Sequence, residues 1–351
     1  MKHSYEGVRW AGAGIGTGPA KGFIEMTTEL FVATGSALAR IRGSNGTAAA
    51  DLLMEGSGAQ CLARDPRDPG AIYAGTAGNG VWKSVDSGDR WEDLHLPEKD
   101  VFSVAVSAAD GALYAGCEPS RLFRSRDGGT HWEDIESLQT IPSKPTWSFP
   151  PRPWTSHVRW IAPDPHDAAR LLVGIELGGL MCSVDDGASW LDHRPGAQRD
   201  VHSLAWHPQA PGRAYEAGGG GAAWSHDGGI HWEAADTGRD RHYTTGLAVD
   251  PADPDCWFIS ANPGPDKAHR GGCAEAYIYR WRGSGPWQRL EGGLPQPLES
   301  YPYALAIGEA DLYAALGDGR IFVSRDRGDH WDLLKIDGTP PGRCLAIMIG
   351  G

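Results

Sequence analysis

Residues 225–232 read Ser-His-Asp-Gly-Gly-Ile-His-Trp, an instance of the pattern S-x-D-x-G-x-x-W. The pattern recurs from Ser84 (SVDSGDRW), Ser125 (SRDGGTHW), Ser183 (SVDDGASW) and Ser324 (SRDRGDHW). Each copy follows a short apolar run: Val81-Trp82, Leu122-Phe123, Leu180-Met181, Ala222-Ala223 and Ile321-Phe322. Recurrence at a spacing of about forty residues marks a propeller or a solenoid. The residue types are those of a turn. Ser and Asp oxygens accept bonds from nearby backbone amides, Gly supplies a positive φ where a hairpin reverses, and Trp offers a broad apolar face to the neighbouring sheet. Nothing in the pattern demands catalysis.

Outward from each copy, the repeat has a fixed order. An apolar strand such as Ser203-Leu204-Ala205-Trp206 comes first, then a turn such as Asp65-Pro66-Arg67-Asp68-Pro69, then a strand such as Ile72-Tyr73-Ala74-Gly75. A third strand enters the S-x-D turn and a fourth follows the Trp. Four short strands with turn signals between them make one propeller blade. The units fall at 59–96, 101–135, 157–193, 201–235, 243–291 and 301–336. The unit at 243–291 lacks the turn pattern but keeps Trp287 in its place. Residues 26–55 hold three strands and a degenerate turn, Gly43-Ser44-Asn45-Gly46, without an opening strand. Residues 343–349 contain Cys344-Leu345-Ala346-Ile347-Met348, which matches the opening strands Cys61-Leu62-Ala63-Arg64 and Ala304-Leu305-Ala306-Ile307. The prediction is a single all-β domain over 1–351: a seven-bladed β-propeller of four-stranded antiparallel blades. Its ring is closed by the C-terminal strand joining the N-terminal blade, so no open edge is left there. Six blades is the alternative, if the N-terminal segment is not a blade.

The repeated turn resembles the Asp-box, or BNR, repeat of sialidases, some glycoside hydrolases, sortilin-type receptors and a photosystem assembly factor. Nearly the whole chain is also similar to a bacterial group of BNR-repeat, glycosyl-hydrolase-like proteins. That closer likeness is carried by Tyr215-Glu216-Ala217-Gly218-Gly219, by Pro263-Gly264-Pro265-Asp266-Lys267-Ala268-His269 and by Gly293-Leu294-Pro295-Gln296-Pro297-Leu298. The resemblance implies that the boxes sit on outer hairpins, away from a central site, and it brings no reaction with it. Sialidases use three arginines, a Tyr–Glu pair and an acid Asp. The early arginine motif is absent here, and no sequence match puts Arg121, Arg159 and Arg343 in its place. The expected seven blades depart from the six of sialidases, and the single propeller departs from the two of xyloglucan-cleaving enzymes.

A net charge of -13 argues against nucleic acid and against an anionic membrane surface as partners. The first fourteen residues lack the apolar core of a signal peptide, and no run is long enough to span a membrane. The six scattered cysteines, without a C-x-x-C, suit reduced thiols and a cytoplasmic location. The sequence leaves the oligomeric state open, a monomer being favoured, and the scaffold reading places a protein partner on the rim.

Aligning the repeats sorts polar residues by face. At the start of the inner strands stand Gln60, Phe102, Arg159, His202, Thr245, Tyr303 and Arg343. Two residues earlier stand Gly58, Asp100, His157, Asp200, Tyr243 and Tyr301. Strand alternation directs both sets to one side, toward the channel mouth. The ends of the second strands add Glu118 and Glu176. The insertion 136–156 with Trp147 and Trp154, and the loop 262–275 with Lys267 and His269, open on the same face. Such a concentration suits a binding cleft. A polar, water-filled channel lined by the same residues is the plainer reading.

Glu118, Glu176 and His202 are the candidates for acid–base catalysis of a hydrolase or lyase. Alternatively the carboxylates form rim ion pairs with Arg121 or Arg159. Arg159, His157, Asp200, Tyr243, Lys267, His269, Tyr301, Tyr303, Arg343 and Trp154 are the candidate ligand contacts. No cofactor is expected. His157, His202, Asp200 and Glu176 offer donors for a divalent metal, but without a local spacing motif. The two functional readings are a site for a small polar or anionic, carbohydrate-like ligand, and a non-catalytic assembly scaffold.

Overall fold

The computed structural model describes residues 28–44, 47–149, 155–338 and 340–350. They form seven antiparallel sheets in a ring, a seven-bladed β-propeller. Blade five shows the plan: Val201–Trp206 lies inside, followed outward by Ala214–Gly218, Gly221–Ser225 and Glu233–Ala234. The second strands are buried on both faces because each is sandwiched between two neighbouring blades. Leu171–Ile175 and Leu113–Cys117 are continuous apolar runs for that reason. Tyr114 and Leu122 of blade three pack with Val173 and Met181 of blade four in one such inter-blade core. In blade four the outermost strand shrinks to a single bridge between Cys182 and Leu191.

Blade one is built from both ends of the described chain. Leu30–Ala33 pairs with Ala346–Ile349, Leu30 opposite Ile349 and Ala33 opposite Ala346. The closing strand is shorter than expected, and Arg343 precedes it. A further pairing was not foreseen: Ile336–Asp337 adds a parallel fifth strand outside Thr47–Leu53.

The S-x-D turns are wired alike in all five copies. The Ser hydroxyl accepts the amide of the pattern Gly, as in Gly229 N to Ser225 Oγ at 3.0 Å. The Asp carboxylate accepts the amide two residues before the Trp's successor strand, as in His231 N to Asp227 Oδ1 at 3.0 Å. Sequence reasoning expected one left-handed residue per turn, but there are two. The position before the pattern Gly is also left-handed, at Ser87 (φ 55), Asp186 (φ 59) and Arg327 (φ 58). The pattern Gly has a second reason to be Gly. A Cβ on Gly129 would stand 2.4 Å from Leu94 of the preceding blade.

The carbonyl of that left-handed position is gripped by a cation from the blade before. Arg40 donates to Ser87 O (3.2 Å), Lys83 to Gly128 O (3.2 Å), Arg124 to Asp186 O (2.8 Å) and Arg280 to Arg327 O (2.6 Å). All four donors occupy third strands. Where blade four has Cys182 instead, Arg170 reaches Gly228 O at 3.1 Å. The turns are thus inter-blade latches. They abut the turns after the inner strands, as Gly228 N donates to Gly212 O (3.0 Å) and Ser87 N to Gly70 O (3.1 Å). This places them at the end of the blades opposite His202.

Candidate ligand site at the channel mouth

Six inner strands share an irregularity at one register. Pairing with the second strand skips a residue between Ala59 and Cys61, Val101 and Ser103, Val158 and Trp160, Val201 and Ser203, and Pro302 and Ala304, and two residues between Thr244 and Leu247. The skipped residues are Gln60, Phe102, Arg159, His202, Tyr303 and, in blade six, Thr245 with Gly246. A bulge frees a residue from the ladder and re-aims its side chain. The repeated bulge turns this ring of side chains into the channel mouth. Next to it, Ser103 and Ser203 donate to Val158 O (2.8 Å) and Thr245 O (2.6 Å) of the following blades and tie the inner strands together.

The mouth encloses about 190 Å³, lined by Arg159, Glu176, His157, His202, Tyr243, His269, Tyr303 and Arg343, with Gln60, Phe102, Phe149, Thr245 and Leu345. Below it the channel continues as an apolar space of about 330 Å³ between Val104, Ile161, Leu247, Leu305 and Ile347.

His157 organises one wall. Its ring stacks on Phe102 with centroids 3.9 Å apart and meets the edge of Phe149 at 5.1 Å. Its Nδ1 lies 3.2 Å from Glu118 Oε2 and its Nε2 lies 2.7 Å from Glu176 Oε2. A neutral imidazole has one N–H and can donate to only one of the two carboxylates, whereas a ring with two N–H groups would donate to both. Burial raises the Glu176 carboxyl, but the His157 bond and the Arg159 guanidinium, 3.4 Å away, outweigh it and hold the group at about 2. Glu176 is therefore an ionised anchor near neutral pH and no proton donor. Glu118 sits behind His157, buried, and is not part of the lining. The two glutamates do not face each other across an open gap: one imidazole bridges them.

The opposite wall is a proton-ordered chain. Tyr303 donates its hydroxyl to Ala268 O at 2.8 Å, so it accepts from His269 Nδ1 at 3.2 Å. That leaves His269 Nε2 as an acceptor for the Tyr243 hydroxyl at 3.3 Å. Burial, and then the Arg343 charge, lower the His269 pKa and favour this neutral tautomer. Burial and the nearby Asp200 charge raise Tyr243, which stays protonated. Arg343 rests over the Tyr303 ring at 5.0 Å and has no ion-pair partner among the described residues.

Several expected contacts lie elsewhere. Tyr301 is a core residue whose hydroxyl donates to Tyr243 O at 2.9 Å. Lys267 points away from the lining and pairs with Glu275 at 2.5 Å. Arg121 binds Glu98 and Asp134, so no triad of arginines forms. Trp147 is buried in the core between blades three and four. Trp154 lies outside the described residues. Asp200 stands just behind the lining, with Oδ2 3.4 Å from His202 Nε2. The residue missed was Phe149. It belongs to the insertion, whose two 3₁₀ turns, Glu136–Thr140 and Lys144–Thr146, are pinned by Ser143 on Asp192 and by Gln139 on Ser120 O. An aromatic in a Pro- and Trp-rich insertion was the available signal.

No family model and no curated protein matches the chain. Solved structures do. The GH74 xyloglucanase from Xanthomonas campestris superposes with a TM-score of 0.65 at 19% identity, over 92% of this chain and 52% of that one. An ancestral GH74 enzyme gives 0.62 at 16% identity, over 86% and 40%. YCF48 bound to D1 peptide gives 0.56 at 18% identity, over 90% and 88%. The likeness is one of fold. The chain spans about half the length or less of the two GH74 chains and most of the YCF48 chain.

Proposed function

We propose that this propeller binds a small anionic or polar molecule, carbohydrate-like in its oxygens, at the channel mouth. The observation that carries the reading is Arg343, a guanidinium without a counter-ion among the described residues, which lines the same cavity as Arg159. A ligand carboxylate would meet two forked donors there, while Tyr243, His269 and Tyr303 offer hydroxyl and imidazole groups to ligand oxygens. The apolar walls of Phe102, Phe149 and Leu345 suit the carbon face of a sugar ring. Hydrolase or lyase chemistry would draw on His202 and Glu176, with Glu176 as an electrostatic partner because it stays ionised.

The test is a thermal-melt screen of sugars, sugar acids and small hydroxycarboxylates, with each hit followed by NMR for turnover. Acidic hits should raise the melting temperature of the wild type, and Arg343→Ala should lose that shift while folding normally. Retention of every hit by Arg343→Ala would sink the reading. A second reading, a scaffold gripping a peptide, is supported by the YCF48 neighbour, which matches this chain in length and whose structure is bound to a peptide. It would be favoured if no small molecule shifts the melt.

A further inference from the structure

We propose that Glu176, Asp200 and His202 form a site for one first-row divalent cation, with open coordination positions facing the cavity. One donor atom from each lies within 4.8 Å of the others. Donors about 2.1 Å from a shared ion stand roughly 3–3.5 Å apart, a gap that carboxylate rotation can close.

The decisive group is His202. It is 3% exposed, and its Nδ1 donates to Thr244 O at 2.6 Å. In the neutral ring that bond fixes the tautomer and leaves a lone pair on Nε2, the arrangement seen in metal-ligating histidines. No hydrogen-bond donor reaches Nε2 among the described residues. What faces it instead is Asp200 Oδ2, an acceptor, at 3.4 Å. Two lone pairs turned toward each other in a buried place repel, and a cation between them removes the repulsion. Asp200 is itself short of partners, because its Oδ1 is buried with no hydrogen bond.

The backbone makes room for this arrangement. A Cβ on Gly219 would fall 1.9 Å from Asp200 Oδ2, so the carboxylate occupies space that only glycine leaves. Glu176 is aimed by His157 and Arg159, as outer partners aim a metal ligand. Two carboxylates and one imidazole balance a 2+ charge. The imidazole favours manganese, iron, cobalt or zinc over magnesium or calcium. A bound ion would present its free positions to the same space that Arg343 faces, so a ligand oxygen could bridge metal and arginine. This extends the anion-binding reading but does not depend on it, because the ion is titrated alone.

The experiment is calorimetry on chelator-stripped wild-type protein with Mn²⁺ and with Zn²⁺, and Mn²⁺ electron paramagnetic resonance on the same samples. One equivalent should bind saturably, and Asp200→Asn and Glu176→Gln should weaken it by about tenfold or more. Cobalt substitution should give a visible spectrum that His202→Gln alters. If His202→Gln does not fold, the two carboxylate variants decide. Absence of saturable binding into the millimolar range, or equal binding by Asp200→Asn, Glu176→Gln and wild type, overturns the site and leaves a proton on His202 Nε2 as the bridging charge. Metal binding without any anion shift would sink only the reading of the preceding section.

Discussion

Glu216 is the most informative residue to change outside the mouth. It lies in the middle of Ala214–Gly218, fully buried, with Leu204 and Ala223 on the flanking strands. Oε2 accepts the Gln198 amide at 2.9 Å, whereas Oε1 has no partner and no cation pairs with it among the described residues. Burial pushes its carboxyl from 4.5 up to about 8, against the modest opposing effect of the Gln198 amide. The native state therefore keeps the proton over a range in which the unfolded chain has lost it. This contribution to stability is complete below pH 4.5, drains away as pH rises toward about 8, and is gone above it. At ~1.4 kcal/mol per pKa unit, the whole displacement is worth on the order of 5 kcal/mol. Glu216→Gln keeps the shape of the neutral acid and cannot ionise. Urea midpoints of wild type and variant, taken between about pH 5 and pH 9, should diverge with pH, the variant becoming the more stable. A difference that does not change across that range would refute the reasoning.

The inter-blade latches and the ring closure give two further predictions. Arg124→Ala removes a buried guanidinium bound to Asp186 and Glu133 and should cost about 2 kcal/mol in denaturant unfolding. Arg126→Ala, with half its side chain exposed, should cost about 0.5 kcal/mol, and equal losses would refute the latch. Truncation after Pro341 removes the partner of Leu30–Ala33 and should lower the melting temperature and cause association in light scattering. A truncated chain that stays monomeric with an unchanged melt would refute closure by this route.

The architecture was legible because its determinants are local and repeated. Ser, Asp, Gly and Trp at fixed offsets announce a hairpin turn, and the resemblance of residues 344–348 to other opening strands announces closure. The mouth was legible as far as repeat alignment reaches, and so Arg159, His202, Tyr243, Tyr303 and Arg343 converge. Beyond that, the missing information is non-local. Alternation cannot reveal that the inner strands bulge at the very residues that line the mouth. It also cannot tell Tyr243, which lines the cavity, from Tyr301, which turns into the core to bond Tyr243 O and Thr245. Glu118 and Glu176 share a repeat position, but His157 comes between them, so that equal positions give unequal exposure. The latches went unseen because each joins a blade to a turn some fifty residues further along, as Arg40 does to Ser87.

The pairing of Leu30–Ala33 with Ala346–Ile349 also has a consequence for synthesis on the ribosome. Translation at about 5–20 residues per second separates the emergence of these two strands by roughly 15–60 s. Throughout that interval the earlier strand is an apolar edge without its partner, while blades two to seven emerge and stack one after another. The nascent chain is thus a nearly finished arc with one adhesive end, and neighbouring chains on a polysome carry the same end. Yield in the cell should therefore respond to anything that shortens or shields this interval, such as slower initiation or a holding chaperone, more than to the stability of the finished ring.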